Sequence, residues 1–344
     1  MPNYVFDKFR AVIAKVNPNQ TLRVSMLGPS GVGKTSLLAT MYDRLENVIV
    51  HADLQVQPIE EAADILYEQK IRLERLFSTD GLIPDQKAGI YSTTDWRAFD
   101  FRLGRRGKNA TLQLEFVDYP GGWIDHEAGP QEKQWVLDLL RESDAILIPI
   151  DAPALMERNG LWHDERNRPD FVFKFIQAAY ENLRSPRLVI LSPIRCERYL
   201  NDPDYEADMV EKVQLGYRKL LGHLSFGELK ELIAVVIAPV QTLGEIEYHG
   251  SPKDRYFPHF RKTQPNAVYS PRDSEQPLRY LMRFAMRLHR DKRQSGYFTL
   301  IRNMFKGDEY LIRAANEFAT GCKTNSPFAV LQGQEWLDVA RRGT

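Results

Sequence analysis

Cysteine and long apolar runs are both scarce in this 344-residue chain. Its two cysteines, Cys196 and Cys322, lie far apart and form no CxxC pair, which excludes a disulfide framework and a zinc cluster and fits a reducing compartment. No stretch approaches the roughly 18 apolar residues of a spanning helix. The opening MPNYVFDKFRAVIAKVNPNQ lacks the basic region and apolar run of an export signal, so the expected location is cytoplasmic. An excess of either charge is missing too: Lys plus Arg and Asp plus Glu number 46 each, so no global field steers the chain toward nucleic acid or anionic lipid. Nucleic acid is therefore not indicated, and charge is silent on the oligomeric state. No internal repeat is visible. Against these absences stand 43% apolar, 11% aromatic and 27% charged residues, an ordinary globular composition at a length that allows two units or one enlarged domain.

The most informative stretch is LGPSGVGKTSLL, residues 27 to 38. TLRVSML before it reads as a strand and TSLLATMYDRLE after it as a helix, which is the context a GxxxxGK[ST] phosphate loop requires. Gly28, Pro29, Ser30, Gly31, Val32, Gly33, Lys34, Thr35 and Ser36 are the expected phosphate-binding residues. The glycines let successive backbone N–H groups converge on phosphate oxygens, Lys34 reaches the β- and γ-phosphates, and the Thr35 hydroxyl is a Mg²⁺ ligand.

A second element, LEFVDYPGG, places Asp118 where a buried strand emerges and Gly121 at the DxxG spacing. Asp118 is expected to hold Mg²⁺ through water and the Gly121 amide to donate to the γ-phosphate. In YSTTDW, Thr94, slightly preferred over Thr93, is the candidate hydroxyl that completes the metal's shell; ordinary β-propensity explains these threonines equally well. For the purine, LVILSPIRCERY offers Arg195 to stack on the base and Glu197 to accept from guanine, in place of an [NT]KxD motif. A surface Arg and Glu is the plainer alternative. IAPVQTLG adds Val240 and Gln241 at a further strand end. The glutamine that orients water in Ras-like enzymes has no counterpart, because Gly122 and Trp123 follow the DxxG element. Slow intrinsic hydrolysis is expected unless Asp125, His126, Glu127 or a partner's arginine supplies the function; Arg105 and Arg106 read as solvated turn residues.

Apolar runs at 145–150, 187–194 and 232–240, separated by helical segments near 131–142, 170–183 and 205–222, predict an α/β fold with a mainly parallel sheet flanked by helices. The expected organisation is an N-terminal helix within 1–19, a P-loop domain over 20–245 with a helical insertion at about 50–92, a long loop at 246–276 and a C-terminal helical extension over 277–344. The segments TTDWRAFDFRL and ATLQLEFVD flank the turn GRRGKN as a hairpin. Helices are expected near 277–292, 296–305, 308–319 and 333–341. In the first of these Arg279, Arg283, Arg287 and Arg290 lie opposite an apolar stripe, either as a solvated face or as one that meets an acidic partner, lipid or nucleic acid.

Together GPSGVGKTS, LEFVDYPGGW, LSPIRCERY and IAPVQTLG resemble bacterial TRAFAC-type P-loop GTPases, including YcjX-like proteins and the double-GTPase families linked to antiphage systems. The resemblance spans about residues 20 to 290. It implies a GTP/GDP switch with Mg²⁺ that acts with effector or regulator proteins, in stress or antiphage responses. Two other readings stay open: an ATP-binding ATPase or kinase on the same fold, and a nucleotide-bound scaffold with negligible turnover.

Overall fold

The computed structural model describes residues 21–49, 54–58, 60–84, 96–105, 112–125, 127–290 and 309–338. The helices expected within 1–19 and at 296–305, together with Thr93, Thr94, Arg106 and His126, lie outside the described residues. In chain order the elements are β1 (Thr21–Met26), α1 (Lys34–Ile49), β2 (Leu54–Pro58), α2 (Glu60–Arg75), β3 (Ile83–Pro84), β4 (Arg97–Arg105), β5 (Leu112–Asp118) and α3 (Pro130–Glu142). Next come β6 (Ala145–Asp151), α4 (Ala152–Met156), α5 (His163–Asn167), α6 (Pro169–Ala179), β7 (Arg187–Ile194), α7 (Glu197–Leu200), α8 (Pro203–Gly216), α9 (Arg218–Leu224), α10 (Leu229–Leu232) and β8 (Ile233–Ile237). The last are β9 (Ile246–Gly250), β10 (His259–Lys262), α11 (Gln276–Arg290), α12 (Glu309–Thr320) and β11 (Ala329–Gln332).

One sheet of eight strands, in the order β11-β8-β7-β6-β1-β5-β4-β2, organises the molecule. Strands β5, β1, β6, β7 and β8 are mutually parallel, while at the two flanks β4 pairs antiparallel with β5, β2 antiparallel with β4, and β11 antiparallel with β8. The central parallel strands β6, β7 and β8 are nearly continuous apolar runs because both faces are covered. Along β6, Ala145 and Leu147 enter the core shared with α1, α2, α11 and α12, whereas Ile146, Ile148 and Ile150 enter the one shared with α3, α6 and α8. The α/β fold with its mainly parallel sheet is thus the one the sequence predicts, and the carboxyl ends of β1, β5, β6 and β7 collect the candidate residues along one rim.

Three segments differ from expectation. The 50–92 insertion contributes its helix, α2, but also an edge strand, β2, which pairs with β4. The 246–276 loop contains β9 and β10, which form a small antiparallel sheet with β3 around Leu73, Leu76, Ile83, Ile246 and Phe260. The C-terminal extension is not all helix: β11 adds to β8, and among the described residues of the helix expected over 333–341 the structure has a 3-10 turn at Gln334–Trp336. The α11 arginines also take a different course. Arg279 donates to the Phe318 carbonyl, Arg283 to Leu337 at 2.8 Å and Arg287 to Glu335 at 2.8 Å, so they fasten the C-terminal segments instead of facing a partner.

Candidate functional site

Between β1 and α1 the chain turns through residues 27–33, with Gly33 at φ 108°, a value that favours glycine. A Cβ there would also lie 2.5 Å from Cδ1 of Ile194, so the end of β7 packs directly on the loop. Lys34 is buried, and its ammonium donates to the carbonyls of Gly28 at 3.0 Å and Pro29 at 3.2 Å and sits 5.8 Å from the Tyr119 ring centroid. Burial lowers its pKa, and the carboxylates of Asp118 and Asp125 oppose that shift. From α2, Gln69 donates to the Ser36 hydroxyl at 3.2 Å, which ties the insertion to the loop.

The structure brings the DYPG element against this loop. Asp118 is fully buried at the end of β5 and accepts from the Thr35 hydroxyl at 2.7 Å. Gly121 opens a 3-10 turn pressed on the loop's tip: a Cβ on it would stand 2.1 Å from the Ser30 amide nitrogen and 2.3 Å from the Pro29 carbonyl carbon. Only glycine allows that approach. Behind the turn Tyr119, Trp123 and Trp135 pack as a cluster, with Trp123 edge-on to Trp135 at 5.1 Å and Trp96 6.0 Å from Trp135. Burial, then the Asp118 carboxylate, pushes the Tyr119 phenol well above its usual pKa, so it stays neutral beneath Lys34.

This donor set fits Mg²⁺. The Thr35 hydroxyl and the Asp118 carboxylate are hard oxygen ligands already within hydrogen-bond reach of one another. Among the described residues there is no group of three His, Cys, Asp or Glu to form an all-protein cage, as expected for an ion that shares its shell with phosphate and water. Of the groups considered for water activation, Asp125 is held by Arg168 at 2.5 Å and Glu127 is exposed.

At the base end the sequence reading meets a different geometry. Arg195, at φ 60°, is buried, pairs with Asp151 at 3.0 Å and lies 5.5 Å from the Phe260 ring centroid. Glu197 has no exposed surface. Its Oε1 accepts from the amides of Leu243 at 2.6 Å and Gly244 at 3.2 Å, and burial raises its pKa to about 7. Both side chains are thus engaged in buried contacts within the protein. The Val240 amide donates to Pro193 and the Gln241 amide to Arg272, which leaves the Gln241 carboxamide, on the wall of a cavity of about 540 Å³, as the polar side chain at that strand end.

Sequence reasoning passed over Asp151, Arg166, Arg168 and Tyr256. Asp151 ends an apolar strand with a carboxylate, the same signal that singled out Asp118. The DERNRPD run that carries Arg166 and Arg168 has no such mark, because its relevance arises from where α5 and the turn after it place these side chains. Among the described residues no helix is long and apolar enough to cross a membrane. The family model described as Double-GTPase 2 matches residues 22–223, from β1 into α9, and no curated protein matches the chain. The YcjX-like part of the resemblance has no counterpart in that match.

Proposed function

The chain belongs to the Double-GTPase 2 family, whose members bind and hydrolyse GTP, and from that premise we propose that it is a guanine-nucleotide switch with slow intrinsic turnover. The observation that carries this reading is the seating of Gly121 on Pro29 and Ser30. A turn in van der Waals contact with the phosphate loop must respond to whatever fills that loop, which is the requirement for a γ-phosphate sensor. In this reading Lys34 exchanges its two loop carbonyls for phosphate oxygens, and backbone amides from 30 to 36 hold the remainder. Thr35 and Asp118 would hold Mg²⁺, which neutralises charge on the transferred phosphoryl group. Gly121 presents its amide to the γ-phosphate, and Thr94 is the proposed sensor from the preceding segment. With no glutamine after DxxG, water is left to chance or to a partner's group, hence the slow rate.

We assign base contact to Gln241 and give Glu197 the task of holding the 243–244 backbone. The inward turn of Glu197 is also the observation that keeps the ATP reading in play, since the expected guanine acceptor is not at the surface. Control of a partner protein follows from the switch. The wider setting, a bacterial stress or antiphage response, is carried by the resemblance alone. Titration of the protein and its Lys34→Ala variant with GTP, GDP and ATP tests the assignment. Guanine nucleotides should bind at least about tenfold tighter than ATP and lose binding in the variant; equal affinity for ATP overturns the guanine reading.

A further inference from the structure

Four separate chain segments meet at one carboxylate beside the phosphate loop. Asp151, fully buried at the end of β6, accepts from the Arg195 guanidinium at 3.0 Å, from Arg166 Nε at 3.4 Å and from the Tyr256 hydroxyl at 2.5 Å. Arg166 reaches further. Its Nη2 donates to the Gly31 carbonyl at 2.6 Å, and its guanidinium lies 5.7 Å from the Tyr256 ring centroid. Tyr256 belongs to the connection between β9 and β10, which is moored at its start by Arg158 donating to the Ser251 carbonyl at 3.2 Å.

A planar guanidinium engaged at once by a carbonyl, a carboxylate and an aromatic face has its orientation fixed by all three. Displacement of Gly31 must therefore pass to Arg166, and through Asp151 and Tyr256 to residues 251–258. Resting on the GTP reading above, we propose that Arg166 is a positioning residue for the tip of the phosphate loop and that Tyr256 clasps the 251–258 segment to it, so that this segment tightens when nucleotide is bound. Nucleotide pins the Gly31 backbone, the pinned carbonyl holds Arg166, and Arg166 with Asp151 holds Tyr256. By linkage, the closed clasp strengthens nucleotide binding by the same factor.

Hydrogen exchange followed by mass spectrometry reads the 251–258 amides directly, with fluorescent GDP supplying affinities for wild type, Tyr256→Phe and Arg166→Lys. GDP or GTP should slow exchange across 251–258 in the wild type. Tyr256→Phe removes one oxygen; it should abolish that slowing and weaken GDP by about fivefold, the low end of coupling between sites. Arg166→Lys keeps the charge but not the fork, and should do the same. A wild type that binds GDP with unaltered exchange at 251–258 overturns the clasp while the functional reading stands. A Tyr256→Phe variant that melts earlier yet keeps its nucleotide-dependent protection shows a merely structural role and overturns it as well. Absence of GDP and GTP binding in the wild type overturns both readings.

Discussion

Replacing Glu197 by glutamine should make the protein more stable above neutral pH and change it little in acid. The carboxyl is fully buried, and its pKa stands at about 7 against the ordinary 4.5, chiefly because burial penalises the ionised form while the Leu243 and Gly244 amides and Arg195 only partly offset it. Below about pH 4.5 the group is protonated in the folded and unfolded chain alike, and its ionisation costs nothing. Between about 4.5 and 7 the unfolded chain releases a proton that the folded chain keeps, so stability falls as pH rises; above about 7 the full cost is present and constant. At about 1.4 kcal/mol per pH unit the gap amounts to roughly 3 kcal/mol. Glutamine keeps an oxygen for both amides and cannot ionise. Denaturant titrations of wild type and Glu197→Gln at pH 5 and pH 8 should show the variant gaining up to about 3 kcal/mol relative to wild type between the two conditions. An unchanged difference at the two pH values would refute the argument. The same variant should bind GTP within about twofold of wild type, since the side chain faces the 243–244 backbone; a larger loss would return Glu197 to the base.

Two further outcomes bear on the DYPG turn. Gly121→Ala puts a methyl group 2.1 Å from the Ser30 nitrogen, where only backbone movement can relieve it. It should cost about 1–3 kcal/mol in a thermal melt and lower single-turnover GTP hydrolysis by up to about a hundredfold. Rates within threefold of wild type would show that the contact is not part of the chemistry. Three of the five tryptophans, Trp96, Trp123 and Trp135, pack behind that turn. Exchange of GDP for a non-hydrolysable GTP analogue should therefore shift tryptophan emission, and Trp123→Phe should remove most of the shift; an identical signal in that variant would place the change elsewhere.

What could be read from the sequence was local or periodic. The phosphate loop is one continuous stretch whose residue types each have a chemical reason, and the buried parallel strands β6, β7 and β8 announce themselves as nearly unbroken apolar runs. The meeting of Thr35 with Asp118 followed from those two facts, because parallel strands bring their carboxyl ends to one rim. The Asp151 cluster draws on residues 151, 166, 195 and 256, and no spacing rule relates them. Strands as short as β9, β10 and β11 are too brief for alternation to stand out among prolines and charges. The α11 arginines were ambiguous in principle, since a charged face looks the same whether water or a neighbouring backbone carbonyl satisfies it.

The pairing of β11 with β8 sets a timetable for folding. Its partner residue Ile237 leaves the ribosome about 95 residues before Gln332, an interval of roughly 5–20 s at ordinary synthesis rates. Throughout that interval β8 is the open margin of the nascent sheet, and the apolar surface destined for α11 and α12 stays uncovered until those helices follow within it. The stretch with the family's recognisable sequence, residues 22–223, is complete well before that margin closes. The family-matched stretch is thus made early and the sheet edge closed late, and in between the growing protein carries a sheet edge of the kind chaperones are built to shield.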